Sequence, residues 1–475
     1  MTTSIAKSSL SLTASAIIFM FSAYIINIIL GRYLGPASYG IYGVVISLMS
    51  ALNIIQTSGI PQAVSKFIAE DTNQSENILK AGLIIQSIST FVISLLFFLF
   101  ANPISNILND KELVKYLQVS SLIFPFYGLY SLYVGYYNGL HNFEKQTKIS
   151  IIYSIAKSIC VVTLGLTYSL TGAIIGFVFA PIIALFSAVK IPKKSERSFP
   201  YKKLIIYSLP LIGFALVSSL ITSIDLYFVK ALVNSENAAG YYTANQNISR
   251  IPFFALSSFA LILFPLVSKN IKDEKYLRDL LQKSLRIVLI ILIPLVVFMA
   301  SSSKELIQLV YSDKYLPAYP SLSVLLFGSG FFTLFTILSN ILNGAGMPTK
   351  SLNISIMSLL TIIIFCYILI PIYGILGAAM STTIGSIISF IISSYFVYKK
   401  FKLRIQLLSF IKILFSSIII SLLYYFIEIP NLLLPIIYII SFIIYITLLV
   451  LLKEIKKDDF ALMNSFIPNR FVNKK

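Results

Sequence analysis

Apolar residues occur along this chain in long runs that are separated by short polar connections. About 20 mainly apolar residues are needed to cross the hydrocarbon core of a bilayer as a helix. Fourteen runs approach that length and predict fourteen transmembrane helices: 10–31, 39–60, 79–101, 116–140, 149–170, 172–190, 204–231, 240–267, 284–302, 319–343, 351–370, 374–398, 406–427 and 432–452. Breakers such as Gly35-Pro36 and Asn102-Pro103 lie between runs, as is typical of helix boundaries. The pattern therefore predicts an all-α membrane protein.

Short motifs recur in the same order in both halves of the chain, at offsets between 200 and 205 residues. The main pairs are Gly40-Ile-Tyr42 with Gly240-Tyr-Tyr242, Pro61-Gln-Ala-Val-Ser65-Lys66 with Pro265-Leu-Val-Ser268-Lys269, and Asn138-Gly139 with Asn343-Gly344. Each copy holds six predicted helices, an even number, so both copies take the same orientation in the membrane. Parallel repeats of this kind enclose the substrate site of many secondary transporters. We therefore expect two parallel six-helix repeats around a central cleft, followed by two extra C-terminal helices.

The repeats also predict the domain limits. We expect an N-terminal six-helix lobe at 1–190, a basic cytoplasmic linker at 191–203 and a C-terminal six-helix lobe at 204–398. Two additional helices and a basic cytoplasmic tail occupy 399–475. The linker is polar, basic and punctuated by proline, which is typical of a connection between domains.

Composition agrees with an integral membrane protein and limits the kinds of activity that are expected. Hydrophobic residues make up 57% of the chain, charged residues 12%, and the mean hydropathy is +0.88, which a soluble globule cannot accommodate. Cys160 and Cys366 lie in the middle of predicted helices, so we expect no disulfide. The sequence has no G-x-x-x-x-G-K-[ST] motif and no cluster with metal-ligand spacing. We therefore expect a gradient-driven transporter and not an enzyme, with no metal and no organic cofactor.

Lys and Arg are distributed unevenly between the two sides of the predicted topology. If the N-terminus is inside, 28 of the 37 basic residues fall on the cytoplasmic side and 6 on the external side. This excess predicts that both termini of this multi-pass protein are on the cytoplasmic side of the cell membrane. The net charge of +19 is spread over many short loops. Because no basic and aromatic platform is formed, we expect no nucleic-acid partner.

Asp225 and Arg250 place opposite charges inside two neighbouring predicted helices. Asp225 lies 11 residues before Glu236 in the connecting turn, and Arg250 lies 14 residues after it. In an antiparallel pair they lie within about one helical turn of the same depth. Ionisable groups at membrane depth are costly and usually face a bundle interior or a wet cavity. We predict a polar cavity between helices there. The alternative is an ion pair that only locks the two helices together.

Other polar residues in the predicted helices are further candidates. Lys157 lies about 12 Å from the cytoplasmic end of the fifth helix, which is deep for a side chain that reaches back to the interface. Arg32 lies at the external end of the first helix, where an interfacial anchor is an equal alternative. Seven uncharged residues are candidates for sugar contacts, although such residues more often join helices: Asn27, Asn53, Gln56, Asn245, Gln246, Asn247 and Asn340.

Several motifs resemble those of a known family. The segment from Leu30 to Gly43, LGRYLGPASYGIYG, is similar to the connection between the first two helices in polysaccharide-transporter flippases of the multidrug/oligosaccharidyl-lipid/polysaccharide exporter superfamily. Asp225, with Gly240-Tyr-Tyr-x-Ala244 and Pro252, resembles the seventh and eighth helices of that family. The chain departs from the family pattern at Asn247, where relatives often carry an arginine, and has Arg250 instead.

The resemblance implies a function and roles for individual residues. Members of the family transfer an oligosaccharide linked to undecaprenyl or dolichyl diphosphate from the cytoplasmic to the external leaflet. A diphosphate in the membrane needs fixed cations, and Arg can hold phosphate through two parallel hydrogen bonds. Arg250, Lys157 and Arg32 are therefore the expected diphosphate-binding residues. Relatives that flip the peptidoglycan precursor carry arginines within the first helix, and this first helix is uncharged before Arg32, which disfavours that substrate.

Coupling and partners can also be predicted. We expect Asp225 to act in coupling or gating, since it loses its partner when the diphosphate takes Arg250 and then accepts H⁺ or Na⁺. The expected partners are the lipid-linked oligosaccharide, membrane lipids and glycosyltransferases of the same pathway. Two alternatives stay open: a cation-coupled exporter of drugs or metabolites, and a membrane-embedded polymerase or ligase for the same glycans.

Overall fold

The structure, a computed structural model, describes residues 2–192, 199–270, 273–403, 407–426 and 430–455. Within these ranges the chain forms helices and turns, with no β-strand. The α-helices of these ranges are α1 (Thr2–Ser58), α2 (Ile60–Glu70), α3 (Ser75–Leu99), α4 (Ala101–Ile107), α5 (Leu113–Ser120), α6 (Ile123–Gly139), α7 (Phe143–Ala188), α8 (Tyr201–Ile221), α9 (Ile224–Leu232), α10 (Ala238–Ser249), α11 (Ile251–Asn270), α12 (Glu274–Ser301), α13 (Ser303–Val310), α14 (Tyr319–Gly344), α15 (Pro348–Tyr373), α16 (Ile375–Phe401), α17 (Leu407–Phe426) and α18 (Leu434–Leu451). The prediction of an all-α protein is confirmed.

Many helices are long and apolar enough to cross a membrane. Among the described residues, 11 helical stretches meet this condition by length and composition, which agrees with the predicted multi-pass membrane protein. Two stretches exceed a single crossing and contain kinks. α1 bends at Gly35, whose φ is 72°, and α7 bends at Tyr168 and Ser169. Both kinks fall where the hydrophobic pattern predicts a boundary between helices, but the count of fourteen and the repeat layout stay predictions.

The predicted seventh and eighth transmembrane helices are each divided by a turn. The turn at Thr222 and Ser223 separates α8 from α9, and the turn at Arg250 separates α10 from α11. Such turns interrupt the helical hydrogen bonds and leave peptide groups that need other partners. Non-helical backbone at membrane depth is tolerated where protein buries it or where it lines a cavity. These two turns therefore mark a region where polar chemistry is expected.

The chain forms two compact units. Unit 1 comprises Met1–Ser223 and Asn234–Gly240, and unit 2 comprises Ile224–Val233 and Tyr241–Lys475. Because of the turn after α8, α8 packs on α1 and α2 in unit 1, whereas α9 packs on α15 and α16 in unit 2. The lobe limits that follow from the sequence repeat stay predictions. Positions 193–198 of the predicted linker lie outside the described residues.

Each unit has its own apolar core. The core of unit 1 joins α2, α3, α6 and α7 and includes Val64 and Tyr136. The core of unit 2 joins α11, α12, α14 and α16 and includes Leu292 and Ile341. Since lipid tails are as apolar as these side chains, close packing and interhelical hydrogen bonds must hold the helices together.

A close contact at glycine recurs in the two units. In unit 1 a Cβ added to Gly139 would lie 2.6 Å from the Ser65 carbonyl oxygen, and in unit 2 a Cβ added to Gly344 would lie 2.6 Å from the Phe264 carbonyl oxygen. Both glycines belong to the recurring Asn-Gly motif and end a helix, α6 or α14. Only glycine permits this approach, so each copy of the motif makes a close helix–helix contact. The partner in unit 2, Phe264, lies one turn before Ser268, which is the counterpart of Ser65 in the sequence repeat.

The C-terminal helices α17 and α18 pack on α12 in unit 2. Glu454, which follows α18, is buried and lies 3.7 Å from the Arg286 guanidinium of α12 and 3.6 Å from the Lys412 ammonium of α17. The Tyr445 hydroxyl of α18 donates a 3.0 Å hydrogen bond to the Ile290 carbonyl of α12. A carboxylate shared by two cations thus anchors these helices to α12.

Candidate functional site

Asp225 is a buried acid at the start of a helix in unit 2. The turn at Thr222 and Ser223 places it in the first turn of α9, with 2% of its surface exposed. Its Oδ1 accepts a 2.9 Å hydrogen bond from the Leu226 backbone N–H. A carboxylate at a helix N-terminus is also favoured by the helix dipole. The broken helix therefore stabilises a negative charge at a position where an unbroken helix would not.

Three side chains complete the hydrogen bonds of this carboxylate. The Tyr242 hydroxyl donates to Oδ2 at 2.6 Å, Thr382 Oγ1 donates to Oδ2 at 2.8 Å, and Gln246 Nε2 donates to Oδ1 at 2.8 Å. Tyr242 and Gln246 are four residues apart on α10 and so share one face of that helix, while Thr382 lies on α16. We call Asp225, Tyr242, Gln246 and Thr382 the acid cluster. It joins three helices of unit 2 through one charge.

Arg250 lies close to the acid cluster. It occupies the turn between α10 and α11 and is half-buried, and its charge acts on the Asp225 carboxylate. The structure thus brings the predicted acid and guanidinium into one part of unit 2. A direct ion pair between them stays a prediction.

The other amides of α10 mainly hold the helices together. Asn245 is fully buried, and its Nδ2 donates to the Ala318 carbonyl at 3.0 Å and to Ser321 Oγ at 2.7 Å. Asn247 is half-buried, and its Nδ2 donates to the Thr243 carbonyl at 3.0 Å, one turn back on the same helix. Of the three amides predicted here, Gln246 is the one with a hydrogen bond to the Asp225 carboxylate described above.

Lys157 is a buried cation in unit 1. Only 4% of its surface is exposed, and its Nζ lies 4.0 Å from the ring centroid of Phe19 and 5.8 Å from that of Tyr153. No carboxylate pairs with it among the side chains that the structure describes. Attraction to aromatic rings stabilises the buried ammonium only in part, and its role in phosphate binding stays a prediction.

The remaining predicted residues fall into three groups. Asn27 and Asn340 are half-buried and donate to carbonyls one turn back, and Asn27 Oδ1 also accepts from the Tyr39 hydroxyl at 2.9 Å. Asn53 and Gln56 are buried, and the Gln56 amide has no hydrogen-bond partner among the described residues. Arg32 is exposed, just before the kink in α1. Their predicted roles in sugar or phosphate binding stay untested.

Tyr242 and Thr382 were not among the residues predicted from the sequence. Tyr242 lies in the recurring Gly-x-Tyr motif, so its position carried a signal that was not assigned to a site. Thr382 carried none, since hydroxyl residues within transmembrane helices commonly bond to carbonyls of their own helix. Only packing of α9 against α16 reveals it.

The sequence of this chain matches a family model and several known proteins. The family model described as polysaccharide biosynthesis protein matches residues 29–320. An uncharacterized membrane protein of Methanocaldococcus jannaschii is 26% identical over 415 residues, which cover 79% of this chain and 80% of that protein. The succinoglycan biosynthesis transport protein ExoT of Rhizobium meliloti is 22% identical over 327 residues, which cover 67% and 65%.

A solved structure has the same fold over nearly the whole chain. The lipid II flippase MurJ in an inward closed conformation superposes with a TM-score of 0.78 at 19% sequence identity, covering 93% of this chain and 97% of that chain. The resemblance stated from the motifs is thus confirmed. Because the family model covers more than half of its residues, this chain belongs to the polysaccharide biosynthesis protein family.

Proposed function

We propose that this protein is a flippase that translocates an isoprenoid-diphosphate oligosaccharide across the cytoplasmic membrane, for assembly of a surface polysaccharide or glycoprotein. The observation that carries this proposal is the family match over residues 29–320. The name of the Rhizobium relative, a transport protein of succinoglycan biosynthesis, supports a glycan substrate. Residues 10–31, the first predicted transmembrane helix, carry no charge, which disfavours the peptidoglycan precursor.

Alternating access in this proposal uses fourteen transmembrane helices, arranged as two parallel six-helix repeats around a central cleft with two extra helices. The kinks in α1 and α7 support the count, because each divides one long helix into two crossings. The close helix–helix contacts that both Asn-Gly motifs make, at Gly139 and at Gly344, support the repeat. The uneven distribution of Lys and Arg supports cytoplasmic termini.

Two cationic side chains, one buried and one half-buried, would bind the diphosphate. Lys157 in unit 1 is held by rings and by no carboxylate among the described side chains, so a phosphate can pair with it without displacing an acid. Arg250 in unit 2 acts on Asp225, so a phosphate competes with that carboxylate. Arg32 at the external end of the first helix would contact the headgroup late in translocation.

The competition at Arg250 offers a route to coupling. When a phosphate binds Arg250, Asp225 loses the electrostatic support of the guanidinium and becomes easier to protonate or to balance with Na⁺. Oxygen atoms of Tyr242 and Thr382 within hydrogen-bond distance of the carboxylate could then serve as ligands of a small cation, as oxygen atoms at broken helices do in transporters. Occupancy by substrate and by H⁺ or Na⁺ would therefore be linked.

The test is translocation by purified protein in liposomes. A lipid-linked oligosaccharide is supplied in one leaflet, and an impermeant lectin detects its appearance in the other. We expect transfer above the rate in protein-free liposomes, and no transfer of the same oligosaccharide without its lipid. Absence of transfer under an imposed H⁺ or Na⁺ gradient contradicts the proposal. Transfer of a cationic dye alone would identify an exporter, and elongation of the glycan a polymerase.

A further inference from the structure

Unit 1 contains a polar cavity that the cation and coupling sites do not include. Its volume is about 470 Å³, and residues of α1, α2, α6 and α8 line it. Its lining includes Gln62, Lys66, Tyr127, Tyr130, Asn138 and Tyr207. Aromatic rings with a few polar groups and a charge, in a cavity of this volume, are typical of a small-molecule site.

Close helix packing forms this cavity without a ligand. Pro61 begins the first turn of α2, and its carbonyl group lies so close to Gly135 of α6 that any Cβ there would clash with it. One turn further, Gly139 makes the same kind of contact with Ser65. Glycine at both positions lets α2 lie directly on α6, so this wall of the cavity is closely packed. Such packing lowers the cost of ordering the wall when a ligand binds.

Lys66 supplies a cation at this cavity. Its Nζ lies 4.4 Å from the ring centroid of Tyr207 and 4.6 Å from that of Phe67, and 3.4 Å from the Glu70 carboxylate. The side chains of Lys66 and Glu70 are 39% and 56% exposed, so water screens their attraction. The rings position the ammonium, and this screened ion pair leaves it able to bind a second anion.

A line of aromatic rings connects the cavity with the buried cation of unit 1. The ring centroids of Tyr127 and Tyr130 are 5.7 Å apart, and those of Tyr130 and Tyr153 are 4.6 Å apart with nearly parallel planes. Lys157 Nζ lies 5.8 Å from the Tyr153 centroid. A row of packed tyrosine rings therefore joins the wall of the cavity to Lys157.

We propose that this cavity is a loading site that binds the diphosphate-sugar headgroup of the substrate before translocation. Lys66 pairs with a phosphate, the rings of Tyr127, Tyr130 and Tyr207 pack against the apolar faces of the sugars, and amides such as Asn138 bond to sugar hydroxyls. The basic residues around α2 place this end of unit 1 on the cytoplasmic side in the predicted topology, where such substrates are made. The inference rests on the proposed function.

The absence of Trp from the sequence provides a direct binding test. Tyr127→Trp places a single indole in the cavity wall and keeps an aromatic ring there. We expect uridine diphosphate glucose, a soluble diphosphate sugar, to change its emission saturably. Lys66→Gln in this background should weaken the apparent affinity about tenfold, as expected for loss of one charge-assisted contact, and Lys66→Arg should restore it.

Two matched variants exclude simpler explanations. Glu70→Gln breaks the ion pair of Lys66 but keeps the cation, so binding should be unchanged or tighter. Lys145→Gln removes a lysine of unit 1 that lies over Tyr137, outside this cavity, and should leave binding unchanged. If Lys66→Gln binds uridine diphosphate glucose as tightly as the Tyr127→Trp protein that contains Lys66, the inference is overturned. Complete competition by phosphatidylglycerol vesicles but not by inorganic diphosphate would identify a phospholipid site instead.

The same variants separate this inference from the proposed function. If the wild-type protein translocates the lipid-linked oligosaccharide and Lys66→Gln does so at the same rate, the loading site is wrong and the flippase stands. If the cavity binds uridine diphosphate glucose but the wild-type protein translocates no lipid-linked oligosaccharide, the flippase is wrong. A melting temperature unchanged by Lys66→Gln confirms that the variant is folded.

Discussion

Thr382 donates a 2.8 Å hydrogen bond to the Asp225 carboxylate across a separation of 157 residues in the sequence. This contact links α16 to α9 through a single charge within unit 2. Since Tyr242 and Gln246 bind the same carboxylate from α10, protonation of Asp225 would weaken the contacts of three helices at once. The acid cluster is therefore well suited to convert the binding of a proton or cation into a change of helix packing.

Thr382→Val should destabilise unit 2 by about 1.5–3 kcal/mol, because it removes a hydrogen bond to a buried charged group. Thr383→Val is the matched control, since Thr383 donates to the carbonyls of Val324 and Ala379 and not to an acid. Thermal unfolding of both purified variants measures the difference. Equal melting temperatures would contradict a special role for Thr382.

Asp225→Asn keeps the shape of the side chain and removes its charge. If Asp225 couples transport to an ion gradient, the variant should still bind substrate but lose the dependence of its transport rate on pH or Na⁺. If the acid only braces α9, then Asp225→Asn combined with Arg250→Gln should regain stability and transport together, as a double-mutant cycle would reveal. Ion dependence like that of the wild type in the single variant would rule out coupling.

The ionisable part of the site could be predicted from the sequence, but its neutral partners could not. Asp225 and Lys157 can be recognised because burying a charge at membrane depth costs free energy. Gln246 can be recognised because its polar amide lies in a mainly apolar predicted helix. A hydroxyl costs little free energy at that depth, since Thr and Ser can form hydrogen bonds within their own helix. The sequence around Thr382 therefore gives no local signal. Its role depends on which helices pack together, and that is a tertiary property.

The limits of the helices, too, could be predicted from the sequence only in part. The kink at Gly35 follows from a Gly-Pro pair that any reading of the sequence detects. The turn at Thr222 and Ser223 has no Gly or Pro, so the hydrophobic run from 204 to 231 predicts one continuous helix. The break there is maintained by contacts of α9 within unit 2, which the local sequence does not encode.

Lys157→Gln should reduce translocation of a diphosphate-linked substrate at least tenfold, because it removes a buried cation and keeps a polar side chain of similar length. Lys157→Arg preserves the charge and should retain part of the activity. The liposome assay measures both rates, and the melting temperature verifies folding. Normal transport by Lys157→Gln would mean that the lysine is structural and that the phosphate binds elsewhere.

Glu454→Gln should destabilise the attachment of α17 and α18 to α12. The carboxylate is buried and shared by Arg286 and Lys412, and removing one partner of a buried ion pair costs about 3–5 kcal/mol. Glu70→Gln removes the acid of an exposed pair with Lys66, where less than about 1 kcal/mol is expected. A loss of stability as small as that of Glu70→Gln would mean that helix packing alone holds α17 and α18.

Gly240→Ala should impair folding of unit 1, because a Cβ at Gly240 would clash with the Pro36 carbonyl group beside the kink of α1. Gly40 faces the same place, and its own Cβ would lie 2.6 Å from the Gly240 nitrogen. Overpacking of this kind typically costs about 1–3 kcal/mol. Gly213→Ala in α8 is the control, since no atom lies within 4 Å of its added Cβ, and replacing a helical glycine by alanine should stabilise by up to about 1 kcal/mol. Thermal unfolding should therefore shift in opposite directions for the two variants. A melting temperature of Gly240→Ala that is not below that of the wild type would show that α1 and the start of α10 can separate without loss of stability.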